Sequence, residues 1–256
     1  MLELLVLGAG PAYSDQLGSV GSAYLVRDGA DAIVMDLGQG AFPRLAHSLE
    51  PSGLRAVFIS HLHPDHFIDL IPLRHYLCRA EVQPGRRLRV LAPAGLEQRL
   101  DAAYDLPGFA SAAFDVETLA PGSYDAGPFS VEVHAVRHAG QSVAFRVATS
   151  GQPGRGIVYS GDCADADELR PLLRPGDTLL AEATFGPGPV PTGMPHLDGP
   201  TAGRFAAAAG AGELLLTHLR MGCDAEATVR AAAREFDGPV SMVHPGDRFA
   251  VGATRP

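Results

Sequence analysis

Apolar residues along this chain fall into short runs, broken by positions rich in glycine, proline and aspartate, a spacing that suits buried strands better than long helices. Leu2–Leu7 reads as a strand, followed by a Gly/Pro/Ser loop from Gly8 to Ser22. Ala23–Arg27 and Ala32–Asp36 read as paired strands joined by the turn Asp28-Gly29-Ala30-Asp31. Gly38 and Gly40 end the second of them, and a helix is predicted from Ala41 to Leu49. Ala56–Ser60 is short, apolar and β-branched, the mark of a buried strand, and it ends directly at His61.

The second half repeats the scheme. Strands are predicted at Leu88–Ala92, Phe129–Val136, Val143–Ala148 and Gly156–Ser160, with Gly151–Gly156 as a hairpin turn. A helix is predicted after Asp165, a buried strand at Thr178–Ala183, and an Ala-rich helix at Thr201–Ala209 with Gly210 near its end. Glu213–Thr217 is a strand ending at His218, Asp224–Phe236 a closing helix and Val240–Val243 a last strand. Early hairpins followed by strand–helix units, twice over, predict an α+β fold. Its architecture is a four-layer αββα sandwich: two mixed β-sheets face to face, with helices on both outer faces. No linker or composition break divides residues 1–256, so one domain is expected.

Composition narrows the function classes. Apolar residues make up 46% and charged residues 19%, which excludes a disordered chain. No segment reaches the ~20 apolar residues of a membrane helix, and the expected location is the cytoplasm. Cys78, Cys163 and Cys223 form neither a disulfide framework nor a cysteine metal motif, so a metal site must rest on His and carboxylates. The net charge is -9, every basic residue is Arg, and the one dense basic run is Arg86, Arg87 and Arg89, read as a solvated strand end. Long nucleic acid is therefore an unfavoured partner, whereas a small anionic substrate fits if dications offset the charge locally.

His61-Leu62-His63-Pro64-Asp65-His66 carries the strongest chemical signal. Three imidazoles and a carboxylate lie within one loop just past a buried strand. In extended geometry His61 and His63 share a side and can share an ion. Pro64 bends the chain, so Asp65 and His66 can face a second ion. Mixed imidazole and carboxylate ligands suit zinc and neighbouring first-row metals. His134 and His138 stand four strand residues and ~13 Å apart, too far to share an ion, and His138 is preferred as the further ligand because a strand-end position suits a site. Asp162 follows a strand and the Ser160-Gly161 step, and His218 follows Leu214-Leu215-Leu216-Thr217.

The motif resembles the metallo-β-lactamase superfamily, whose signature is H-x-H-x-D-H after a buried strand. The ribonuclease Z-like branch and its short phosphodiesterase relatives are the most similar. The resemblance implies two divalent ions, zinc first, with manganese or iron as alternatives. One would be held by His61, His63, His138 and Asp162, the other by Asp65, His66, Asp162 and His218. It also implies that Asp36 lies beneath the metals and orients a ligand or backbone. Glu182 of Glu182-Ala183-Thr184-Phe185 would orient His196, and His196 would protonate the leaving oxygen. Asp65, Glu182 and His196 are the expected catalytic residues. General acid help of this kind is worth roughly 100–10,000-fold.

The resemblance further implies a hydroxide bridging the ions as nucleophile. Ribonuclease Z proteins grip a transfer-RNA precursor with a long basic arm, and the stretch between His138 and Asp162 has no room for it. The expected reaction is therefore hydrolysis of a small phosphodiester, such as a cyclic nucleotide or related cyclic phosphate. Its rivals are a lactone or thioester hydrolase with the same metals, a ribonuclease Z-like endonuclease, and a non-catalytic ligand-binding scaffold. A homodimer stays open, since dimers are common among the relatives. His47, His75 and His244 read as structural or surface residues, Cys163 as an inert core residue, and Gly8-Ala9-Gly10-Pro11 as a loop near the site mouth.

Overall fold

The structure is a computed structural model of the chain and describes residues 2–79 and 87–251. The first half runs β1 (Leu2–Gly8), β2 (Ala23–Asp28), β3 (Asp31–Leu37), α1 (Phe42–Ser48), β4 (Ala56–Phe58), α2 (Pro64–Phe67), α3 (Leu70–Leu77), β5 (Leu88–Ala92), α4 (Leu96–Tyr104) and β6 (Phe114–Thr118). The second runs β7 (Gly122–Ala126), β8 (Phe129–Val136), β9 (Ser142–Thr149), β10 (Gln152–Tyr159), β11 (Thr178–Glu182), α5 (Gly199–Ala209), β12 (Glu213–Thr217), α6 (Ala225–Ala232), β13 (Val240–Met242) and β14 (Arg248–Ala250).

Two seven-stranded sheets result, in the orders β14-β1-β2-β3-β4-β5-β6 and β13-β12-β11-β10-β9-β8-β7. Both are mixed. Antiparallel pairing joins β14, β1, β2 and β3, and parallel pairing continues to β6. In the second sheet β7 to β10 are antiparallel and β10 to β13 parallel.

The period-2 alternation of strands sorts side chains into layers. Leu2, Leu4 and Val6 of β1 join Phe58, Phe145, Tyr159 and Leu215 in the core between the sheets. Their neighbours Leu5 and Leu7 face outward, onto Leu45 of α1, Leu73 of α3 and Leu100 of α4. On the far side, Val158, Leu179 and Leu214 meet Phe205 of α5 and Ala232 of α6. The outcome is the αββα sandwich the sequence predicts. Strands buried on both faces explain its near-continuous apolar runs.

Several local expectations need correction. The helix expected after Asp165 is one 3-10 turn, Ala166–Leu169. Pro171 follows Arg170 and disfavours helix continuation. The closing helix is shorter than expected, Ala225–Ala232, with Asp224 accepting from the Ala227 amide at 2.7 Å as its cap. The Ala-rich helix starts earlier, at Gly199, because Asp198 caps it through the Thr201 amide. The predicted turn at Gly151–Gly156 is mostly strand, since β10 begins at Gln152. The helices α3 and α4 and the strands β6, β7 and β14 were not anticipated.

Of the basic run, Arg86 lies outside the described residues. Arg87 pairs with Asp115 at 2.8 Å, and Arg89 with Glu117 at 2.6 Å, across the edge strand, so both charges are answered by acids. Among the described residues no helix is long and apolar enough to cross a membrane.

Candidate metal centre

The candidate site residues lie just past or at the ends of strands, where open mixed sheets place their sites. Asp36 is the penultimate residue of β3, and His61 follows β4 after Ile59 and a bend at Ser60. His63 is the cap of α2 in extended conformation, and Pro64 supplies the fixed φ of its first turn. That short turn puts Asp65 and His66 on the inner side, both buried. His138 sits between β8 and β9, Asp162 after β10, Glu182 at the end of β11, and His218 directly after β12. Gly38 permits the close approach of β3 to α2, since a Cβ there would lie 1.9 Å from the Asp65 carbonyl oxygen. Gly161 takes φ +55, with its missing Cβ 2.9 Å from the Val143 carbonyl, and so lets β10 turn into Asp162.

All seven sequence-predicted ligands converge. Ligand atoms of His61, His63, His138 and Asp162 lie within 4.8 Å of one another, as do those of Asp65, His66 and His218. Asp162 joins the two groups. Its Oδ2 is 3.8 Å from His61 Nε2, 3.6 Å from His138 Nε2 and 3.6 Å from His218 Nε2, and its Oδ1 is 3.5 Å from His66 Nε2. Asp65 Oδ2 lies 3.2 Å from His218 Nε2 and 3.6 Å from His66 Nε2. Asp162, His196 and His218 form a further close group. His134 takes no part, standing within β8 opposite Ala144.

These residues fit divalent ions. His61 Nε2, His66 Nε2 and Asp162 Oδ1 are fully buried with no hydrogen-bond partner. Native interiors rarely leave such atoms unanswered. Here all three point into one cluster of imidazoles and carboxylates, the donor set of zinc and its neighbours. Burial opposes charge on His61, and with His66 nearby it is held well below its ordinary pKa. Burial would raise Asp162, yet the His218 and His66 imidazoles hold its carboxyl well below the usual carboxylate range.

Beneath the cluster, the His66 ring is anchored by Asp36. Asp36 Oδ2 sits 2.7 Å from His66 Nδ1 and also accepts from Ser60 Oγ at 2.7 Å and Tyr159 Oη at 2.8 Å. Asp36 Oδ1 accepts from the Ser60 amide at 2.7 Å. Asp36 has φ 57 and His218 φ 58, left-handed values uncommon outside glycine, held here by their surroundings.

Beside the cluster, Glu182 Oε1 lies 3.0 Å from His196 Nδ1. The Glu182 side chain is fully buried, while His196 keeps 16% exposure and faces the site. Burial opposes charge on His196, but the Glu182 carboxylate raises its pKa above the ordinary value. Next to His63 lies a cleft of about 340 Å³, bordered by Leu62, Arg99 and Gln141.

The sequence did not single out Ser60, Tyr159 or Thr184. Thr184 Oγ1 contacts Glu182, His196 and His218 together. Adjacency to a motif was the only sequence signal for these residues. Cys163 is buried, with its amide donated to Glu182 at 3.1 Å, and burial pushes its thiol well up, as an inert residue requires. His75 packs against Tyr104 and Phe109, a structural role.

The chain is similar to known proteins over most of its length. The model of the β-lactamase superfamily domain matches residues 30–219. An uncharacterized protein of Mycobacterium leprae is 33% identical over 241 residues, which cover 92% of this chain and 84% of that protein. Ribonuclease Z of Mycobacterium bovis is 28% identical over 274 residues, covering 94% of this chain and 95% of that enzyme. The crystal structure of the metallo-β-lactamase fold protein YhfI from Bacillus subtilis superposes with a TM-score of 0.83 at 26% identity, covering 97% of this chain and 98% of that one.

Proposed function

Because this chain belongs to the β-lactamase superfamily of metallo-hydrolases, we propose that it hydrolyses small phosphodiesters, cyclic ones among them, at a centre of two divalent ions. The observation that carries this reading is the Glu182–His196 pair at 3.0 Å, set beside the cluster with His196 Nδ1 3.8 Å from Asp162 Oδ2. Phosphodiester cleavage expels an alkoxide, a poor leaving group that needs a proton. A thioester expels a thiolate, which departs more readily and needs such a pair less.

His61, His63, His138 and Asp162 would hold one ion, and Asp65, His66, Asp162 and His218 the other. Bound ions of this kind polarise phosphoryl oxygens and bring water to a nucleophilic state near neutral pH. The protein's own residues do the rest. The Glu182 carboxylate accepts from His196 Nδ1 and favours the imidazolium form, whose Nε2–H can pass its proton to the departing oxygen and leave the neutral Nδ1–H ring. Asp36 fixes the ring of His66, and Asp65 and Asp162 stay ionised to bind cations.

The second sheet supports a small substrate. The stretch between His138 and Asp162 is the β9–β10 hairpin, too short for an RNA-gripping arm. With a net charge of -9, this supports a small anionic substrate over long nucleic acid. Bis(p-nitrophenyl) phosphate turnover by the metal-loaded protein, beside Asp162→Ala, tests the reading. Turnover that disappears in the variant supports it. Turnover of lactones but of no phosphodiester, with metals bound, sinks it.

A further inference from the structure

Thr184 has one hydroxyl and three polar neighbours. Its Oγ1 lies 2.6 Å from Glu182 Oε2, 2.9 Å from His218 Nδ1 and 3.2 Å from His196 Nδ1, in a site where Thr184 is 7% exposed. The hydroxyl carries a single proton and two lone pairs. Glu182 is an acceptor: its Oε1 takes the Cys163 amide at 3.1 Å, and its Oε2 takes the Thr184 amide at 3.1 Å. The short contact therefore uses the hydroxyl proton, and Thr184 donates to Glu182. Only lone pairs remain for the two imidazoles. His218 Nδ1 and His196 Nδ1 must then be N–H donors, since two facing lone pairs would repel.

We propose that Thr184 is a positioning residue that fixes the ring orientation and tautomer of both His218 and His196 through one hydroxyl. With Nδ1 protonated, His218 turns the lone pair of Nε2 towards Asp65 and Asp162, at 3.2 and 3.6 Å, where a cation would sit. With its Nδ1–H shared between Glu182 and Thr184, His196 offers Nε2 outward. Hydrogen bonds on the far nitrogen of a ligating imidazole govern its tautomer and basicity. Here one threonine does this for a ligand residue and for the proton donor, and the Glu182 carboxylate joins the two. The His196 half rests on the function proposed above, whereas the His218 half needs only metal binding.

The test uses Thr184→Val, which keeps the shape and removes the hydroxyl, and Thr184→Ser, which restores it. Zinc affinity is read by chelator competition. Imidazole N–H protons of the zinc-loaded protein are read by NMR, and neither readout requires a substrate. Wild type and Thr184→Ser are expected to show a slowly exchanging His218 Nδ1–H proton. Thr184→Val is expected to lose it to solvent exchange and to weaken zinc binding by about 10- to 100-fold. Equal affinity and an unchanged N–H signal in Thr184→Val would overturn the proposal, as would failure of Thr184→Ser to restore both. Should Thr184→Val not fold, the wild-type spectrum decides: a His218 Nδ1–H exchanging as fast as an exposed imidazole refutes the hydrogen bond.

Discussion

Asp36 Oδ2 and His66 Nδ1 lie 2.7 Å apart with both side chains fully shielded from solvent. The pair turns an imidazole of the candidate metal cluster into a fixed part of the core. Asp36→Asn keeps the size and tolerates φ 57, since Asn visits the left-handed region readily. Its Oδ1 can still accept the Ser60 amide, but an Nδ2 amide cannot accept from His66. Metal affinity should fall by roughly 10- to 100-fold. Isothermal titration with zinc, beside circular dichroism to show the fold is kept, checks this; unchanged affinity would remove Asp36 from any role in the site.

His196→Ala should separate substrates by leaving group. An alkyl phosphodiester, whose alkoxide departs with difficulty, should lose about 100-fold or more in kcat. Bis(p-nitrophenyl) phosphate should lose far less, because p-nitrophenolate leaves without a proton. Metal content should stay at the wild-type level. Equal losses on both substrates would show that His196 serves the site in some way other than proton delivery.

Metal removal should cost stability as well as turnover. The orphaned His61 Nε2, His66 Nε2 and Asp162 Oδ1 gain partners only when a cation is bound. A ligand present at 100 times its Kd stabilises the native state by about 2.7 kcal/mol. For a chain of this size that is roughly 5–10 °C in Tm. Calorimetry on chelator-stripped and zinc-reconstituted protein measures the difference, and identical Tm values would contradict a metal site at this cluster.

The sequence made much of this centre readable because the candidate ligands lie close to buried apolar runs. His218 follows Leu214–Thr217 directly, and Asp162 lies just beyond Tyr159. The six-residue His61–His66 motif is local, so its meaning does not depend on the rest of the fold. Ser60, Tyr159 and Thr184 are different. Each is an ordinary strand or loop residue until long-range folding sets it against a carboxylate, and Tyr159 reaches Asp36 from the opposite sheet. The strands β6 and β7 escaped because both lie at sheet edges and expose much of their length, which leaves little apolar pattern. In α4 the buried face consists of Leu96 and Leu100 alone, too thin a stripe to announce a helix.

Arg146 and Asp177 are 1% and 0% exposed, and they meet through two hydrogen bonds, Nε to Oδ2 at 2.7 Å and Nη2 to Oδ1 at 3.0 Å. Asp177 also accepts the amides of Gly156 at 2.7 Å and Arg174 at 3.0 Å, which ties β10 to the turn before β11. Arg146 keeps Glu132 as a second partner at 3.3 Å, but that contact is longer and nearer solvent. Removing one member of a buried pair leaves an uncompensated charge, at a cost of about 3–5 kcal/mol. Asp177→Ala should therefore lower the urea midpoint markedly. Arg146→Met combined with Asp177→Leu should recover part of the loss, because neither charge is then left alone. The site is built from the opposite ends of these strands, so turnover per folded molecule should be unchanged in both variants. A double variant less stable than Asp177→Ala would mean that the pair's other hydrogen bonds, to Pro153 and the two amides, matter more than charge balance.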